Sequence, residues 1–267
     1  MNPISITRGS DMAKKIAVAN IKGGIGKTST AIALVDGLRA KNKKVLLIDG
    51  DPHSLSASRV YKAVMDNTET LADIMYDSLD ARKAVQTTEY GDIIPGDKEL
   101  TVADTRIAAD AERFYHLADA CKKLESLYDY IVIDCPPGNG VILGNVLVYV
   151  NEVVIPITCD SFGIQCLNSF GEILESYKKR LNESLKVTGV LITMYEGRQA
   201  LTKDLEDNVI PKEVKALGST LFKTRIRKSV RLKESQTLSQ PIFEYAKKST
   251  VAEDYQAFVN EFIRRSR

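Results

Sequence analysis

Ala19-Asn20-Ile21-Lys22-Gly23-Gly24-Ile25-Gly26-Lys27-Thr28-Ser29 decides the fold. It follows the apolar run Ile16-Ala17-Val18 and opens a helix-forming run that reaches Arg39. A strand, a glycine-rich loop and a helix start, in that order, make a phosphate cradle. Glycines let backbone N–H groups close on an anion, and the helix N-terminus adds about half a positive charge. Lys27 is placed to reach the terminal phosphates and Thr28 to ligate Mg²⁺.

Outward from this loop the chain alternates between two patterns. Short apolar runs rich in Val and Ile predict strands at 15–20, 44–49, 92–95, 130–134, 152–156 and 187–193, with a further short one at 221–223. Longer runs with apolar residues three and four apart predict helices at 28–41, 102–127, 163–181, 201–217 and 250–264. Strands separated by helices imply right-handed crossovers and a sheet covered on both faces. The expected fold class is α/β: a single P-loop NTPase domain over 12–267, built on a mostly parallel twisted sheet. Residues 1–11 do not fit this pattern and read as an appended leader or a short flexible tail.

Ligands of such sheets sit beyond the carboxyl ends of the strands. Asp49-Gly50-Asp51-Pro52 follows one strand, Asp134-Cys135-Pro136-Pro137-Gly138 another, and Pro156-Ile157-Thr158 a third. All three segments can converge on the phosphate loop. Asp134 ends an apolar strand and is expected to hold Mg²⁺, directly or through water, with Thr28 opposite. Asp49 and Asp51 are one residue apart, so on an extended chain both carboxylates point to one side.

The usual Walker A pattern has glycine five residues before Gly26, where this chain has Ile21; it carries Lys22 at the front of the loop instead. The form Lys22-Gly23-Gly24-Ile25-Gly26-Lys27-Thr28 resembles the deviant Walker A motif of the ParA/MinD/NifH group of ATPases. The resemblance implies ATP and Mg²⁺ as cofactors, with residues 22–29 around the phosphates. Lys22 and Lys27 then neutralise phosphate charge, and Lys22 crosses a face-to-face homodimer to the partner's nucleotide. Asp49-Xaa-Asp51-Pro52 resembles the family's switch I, in which Asp51 orients the attacking water and Asp49 supports the metal's water shell. Pro136-Pro137-Gly138 resembles switch II, where Gly138 offers its N–H to a γ-phosphate. No arginine finger is apparent near the loop, so slow hydrolysis is expected. His53 stands where many relatives have Gln.

Three further stretches resemble the ParA/Soj branch: Gly189 to Arg198, Thr224 to Ser235, and Gln240 to Tyr245 followed by Ala252-Glu253-Asp254-Tyr255. The resemblance spans residues 14–263. Arg225, Arg227, Lys228, Arg231 and Lys233 form a dense basic cluster in a chain whose net charge is only +2. Such a cluster suits sequence-independent phosphate contacts. Arg227 and Arg231 share a face if the segment is helical. By resemblance Arg198 and Arg231 contact DNA in the ATP dimer. Lys228 stands where relatives often have Arg, and Arg227 where they often have Pro. The resemblance also implies a ParB-like partner that supplies centromere reading and stimulates hydrolysis, and a place in the cytoplasm on the nucleoid.

Other classes have weaker support. No apolar run is long enough to span a bilayer, and no secretory signal core is present. The stripe Val251, Tyr255, Phe258, Val259 and Phe262 with a basic end leaves a MinD-like membrane ATPase as the alternative. The four cysteines include no Cys-x-x-Cys pair, which disfavours zinc or a NifH-like cluster. A small-molecule synthetase of the dethiobiotin type is a further reading.

Overall fold

The computed structural model describes residues 12–77, 79–197 and 203–266. The leader 1–11 therefore lies outside the described residues. The elements in chain order are β1 (Lys14–Val18), α1 (Lys27–Arg39), β2 (Val45–Asp49), α2 (Ser56–Val60), α3 (Leu71–Asp77), β3 (Gln86–Thr88) and β4 (Gly91–Ile94). There follow α4 (Ala103–Arg106), α5 (His116–Cys121), β5 (Tyr130–Asp134), α6 (Val141–Tyr149), β6 (Glu152–Thr158), α7 (Ser161–Arg180) and β7 (Lys186–Tyr195). The chain closes with α8 (Ile210–Ala216), β8 (Leu221–Arg227), α9 (Val230–Thr237), α10 (Ile242–Tyr245) and α11 (Thr250–Arg265).

The eight strands form one sheet in the order β3-β4-β2-β5-β1-β6-β7-β8. Every pairing is parallel except the edge hairpin β3–β4. The phosphate loop leaves β1, so it emerges among the ends of β5 and β6. Register sets Val18 beside Asp134 and Asp49 beside Asp134, which brings two strand-terminal aspartates together.

Side-chain alternation divides the core. Ile16, Val18, Leu47, Val132 and Val154 face α1, α2, α10 and α11. Ala17, Leu46, Ile48, Ile131, Ile133 and Ile155 face α3, α5, α6, α7 and α8. Both layers are buried, as expected for a parallel sheet covered on two sides. The apolar stripe of α11 is spent here: Val251, Tyr255, Phe258, Val259 and Phe262 are all buried against α1 and β8. Each buried phenylalanine contributes about 1.5–3 kcal/mol, so that face is committed to the core.

The expected helix at 102–127 is broken into α4, α5 and turns. Its aspartates break it. Asp104 turns out to accept the N–H of Val141 and cap α6. Asp110 accepts from the Glu112 N–H at 2.8 Å and contacts His116 Nε2 at 2.7 Å. Side chains that bond nearby backbone in this way compete with helix. The expected helix at 201–217 passes, in its described part, through a π turn at Leu205–Val209 before α8. The strand expected at 221–223 runs on to Arg227, because Phe222 and Ile226 pack into the core.

Candidate nucleotide site

Gly26 sits at φ +85°, in the left-handed region that glycine occupies without strain, and turns the chain from loop into α1. No side chain caps α1, so its first N–H groups remain available to an anion. Thr193 near the end of β7 shares its hydroxyl proton between the carbonyls of Ile25 at 2.8 Å and Ile157 at 3.0 Å. Asn20 donates to the Pro156 carbonyl at 2.8 Å. These two side chains fasten the loop to the neighbouring strands.

Lys27 is buried, and its ammonium donates to the Lys22 carbonyl at 2.8 Å. Burial pulls its pKa below the ordinary lysine value, while Asp134, Cys135 and Asp51 oppose that shift. Asp134 is fully buried, and neither carboxylate oxygen has a hydrogen-bond partner. Burial drives its pKa well above the usual carboxylate range, helped by the charge of Asp49. Thr28 tempers that shift from nearby, outside hydrogen-bond geometry. Asp49 is also buried and is pushed up to about 6 by desolvation, against the hydrogen bonds it accepts. Its Oδ2 accepts from the Ser58 N–H and hydroxyl, both at 2.7 Å, and its Oδ1 from the Asp51 N–H at 3.2 Å.

Orphaned carboxylate oxygens beside a threonine at the head of a phosphate loop suit Mg²⁺, which takes one or two protein ligands plus phosphates and water. Asp134 and Thr28 would hold the ion; Asp49, occupied by Ser58, stands behind them. Asp51 is half-buried at the cavity wall. Its carboxylate accepts from the His53 N–H at 3.0 Å and the Ser54 hydroxyl at 3.0 Å, so it is oriented by its own turn.

The loop opens on a cavity of about 480 Å³. Gly23, Gly24, Gly26, Lys27, Thr28 and Ser29 line one side, with Asp51 and Pro137 next to them. Met194, Ile226, Leu232 and Gln236 also line the cavity, a set that suits an apolar ring system with a polar edge. Met194 holds φ +51°, an uncommon conformation for a side chain of its kind. The motif reading missed Ser58, Leu232 and Gln236. Their only signal was position just beyond a strand or on the helix that follows one.

Residues 13–187 match a family model described as an AAA domain. The chain is 33% identical to the sporulation initiation inhibitor protein Soj of Bacillus subtilis over 94% of this chain and 98% of Soj. It is 31% identical to the chromosome partitioning protein ParA of Caulobacter vibrioides over 94% of each. The chain belongs to the ParA/Soj family of P-loop ATPases. A cobyrinic acid a,c-diamide synthase of Mycobacterium smegmatis, solved with an ATP analogue and magnesium, shares the fold at a TM-score of 0.81 and 24% identity, covering 96% of each chain.

Against the other residues expected of a ParA/Soj chain, the structure gives a mixed picture. Lys22 folds back on its own chain: its ammonium lies 2.9 Å from Thr158 Oγ1, 3.4 Å from Asp160 Oδ1 and 4.7 Å over the Phe162 ring. The Gly138 N–H is already donated to the Ile21 carbonyl at 2.9 Å. Ile25 is buried. Arg198 lies outside the described residues.

The basic cluster is not one surface. Arg225 and Arg227 are on β8 and Arg231 on α9, so the helical face expected of Arg227 and Arg231 does not exist. Arg225 is half-buried, ion-paired to Glu206 and bonded to the carbonyls of Phe222 and Lys223. Arg227 pairs with Asp254 at 2.6 Å. Lys228 pairs with Glu196 at 3.1 Å and Arg231 with Glu234 at 3.0 Å, all four side chains substantially exposed. Lys233 lines the nucleotide cavity.

Proposed function

We propose that this chain is an ATP-dependent DNA partition ATPase whose ATP-bound homodimer holds DNA without sequence preference. A ParB-like partner stimulates hydrolysis and release, moving or positioning a plasmid or a chromosome. The observation that carries the ATPase half is the orphaned, buried Asp134 beside Thr28 and Lys27, two residues that line the strand-end cavity. The names of the Soj and ParA relatives support the partition half.

Lys27 exchanges the Lys22 carbonyl for phosphate oxygens. Bound Mg²⁺ supplies charge neutralisation at the phosphate chain. Asp51, held by its own turn, orients the attacking water, so positioning rather than covalent help lowers the barrier. Lys22 leaves Thr158 and Asp160 to reach across the dimer. Gly138 gives up the Ile21 carbonyl when a γ-phosphate takes its N–H. Exposed ion pairs contribute only about 0–1 kcal/mol, so Lys228 and Arg231 can trade Glu196 and Glu234 for DNA phosphates. Arg225, clamped and half-buried, serves the fold.

The reading is tested by fluorescence anisotropy on a random-sequence duplex with no nucleotide, with ADP and with a slowly hydrolysed ATP analogue. Salt-sensitive binding confined to the ATP analogue is expected. Equal binding in all three states, or none, overturns the partition half. The MinD-like alternative drew on the α11 stripe, which is buried in the core; among the described residues no helix is long and apolar enough to cross a membrane.

A further inference from the structure

Helix α9 has two faces with different business. One residue turns the helix by about 100°, so residues two apart point in nearly opposite directions. Arg231 and Lys233 are two apart. Arg231 is exposed and pairs with Glu234. Ser229, Leu232, Lys233 and Gln236, spaced by three and four, line the same cavity as the phosphate loop. Gln236 ties the helix to that loop: its amide donates to Ser29 Oγ at 2.9 Å, one residue past Thr28. Lys233 lies one helical turn away on the same face.

Two other cations beyond the loop line this cavity, and both are tied elsewhere. Arg227 is held by Asp254 and the Thr250 carbonyl, Lys228 by Glu196. Among the described residues no carboxylate lies within ion-pair distance of Lys233. Lys233 is exposed, and an ammonium with no ion pair on a residue lining the same nucleotide-sized cavity as the phosphate loop is a ligand group for a polyanion.

We propose that Lys233 is a nucleotide-binding residue rather than a DNA contact: its ammonium meets the phosphate–ribose chain of a nucleotide seated in the loop, while Gln236 anchors α9 to Ser29. The inference rests on the nucleotide reading of the phosphate loop. It makes α9 the element whose inner face feels the nucleotide while its outer face carries Arg231.

The test is titration of the full chain with a fluorescent ATP derivative and Mg²⁺. Lys233→Ala is expected to weaken binding about tenfold, the scale of a lost charge-assisted hydrogen bond. Lys233→Arg should restore it to within about twofold, since the charge and donors return. Lys43→Ala, an exposed lysine in a distant turn, controls for net charge. Wild-type affinity in Lys233→Ala, or an equal loss in Lys43→Ala, overturns the assignment. Lys27→Ala separates the two readings: it should abolish binding, and if it binds like wild type the phosphate-loop reading itself fails.

Discussion

At the residue scale, Asp51 and Asp134 divide the chemistry by their environments. Asp134 has lost its water and gained no donor, so it is stable as an anion only beside a cation. Asp51 keeps donors from His53 and Ser54 and part of its solvent contact, which suits a group that handles water. Asp51→Asn preserves the turn: the amide oxygen still accepts the His53 N–H, and the amide nitrogen donates to the Ser54 hydroxyl oxygen in place of accepting from it. It is expected to bind ATP with near wild-type affinity and to lower phosphate release about a hundredfold or more, the usual loss of a positioned base. A variant that releases phosphate normally would remove Asp51 from the reaction. Asp134→Ala should act earlier, weakening the Mg²⁺ dependence of nucleotide binding. Equal titrations with Mg²⁺ and with a chelator in wild type and variant alike would refute that role.

At the element scale, α1 carries the site because α11 holds it from behind. A Cβ on Gly37 would come within 2.6–3.0 Å of Val259, so these helices pack closer there than any side chain allows. Gly37→Ala is expected to destabilise the fold by about 1–3 kcal/mol, the cost of overpacking, seen as a lower denaturant midpoint. Val259→Ala in the same chain should recover part of the loss; no recovery would place the strain elsewhere. The strands and α1 were legible because buried parallel strands are short apolar runs and the loop fixes where α1 starts. Helix 102–127 was misread because its spacing is helical while Asp104 and Asp110 spend their carboxylates on α6 and on a turn. No period in the sequence records that choice. The hairpin strand β3, Gln-Thr-Thr at an edge, is too short and polar for pattern reading. The basic cluster looked uniform for a related reason. Charge shows in a sequence, but the β8-to-α9 boundary that aims Arg225, Arg231 and Lys233 in three directions does not.

At the scale of the whole molecule, two consequences follow from how charged side chains are held. Asp36 on α1 accepts from the Tyr61 hydroxyl at 2.8 Å, and its second oxygen has no partner; burial lifts its pKa to about 7, as it lifts Asp49 to about 6. Both acids bind a proton more tightly folded than unfolded. Their stabilisation is therefore full below the unfolded pKa near 4 and is lost as pH rises through about 6 and 7. The nucleotide-free protein should melt lower at pH 8 than at pH 5.5. Asp36→Asn should flatten that slope by on the order of 1–2 kcal/mol; an unchanged slope would mean that Asp36 is ionised throughout. The second consequence concerns Lys22. In a single chain its ammonium rests on Thr158, Asp160 and Phe162, which replace the partner phosphate it is proposed to meet. The exchange favours the dimer only when a triphosphate outbids these contacts, so nucleotide state and assembly become one equilibrium. Lys22→Ala removes the crossing charge and leaves Lys27, Thr28 and Asp134 in place. It should bind ATP as a monomer within a few-fold of wild type, yet stay monomeric by light scattering with the ATP analogue while wild type doubles its mass. Doubling in Lys22→Ala would show that the interface forms without this lysine, and its contact with Asp160 would then be an ordinary surface ion pair.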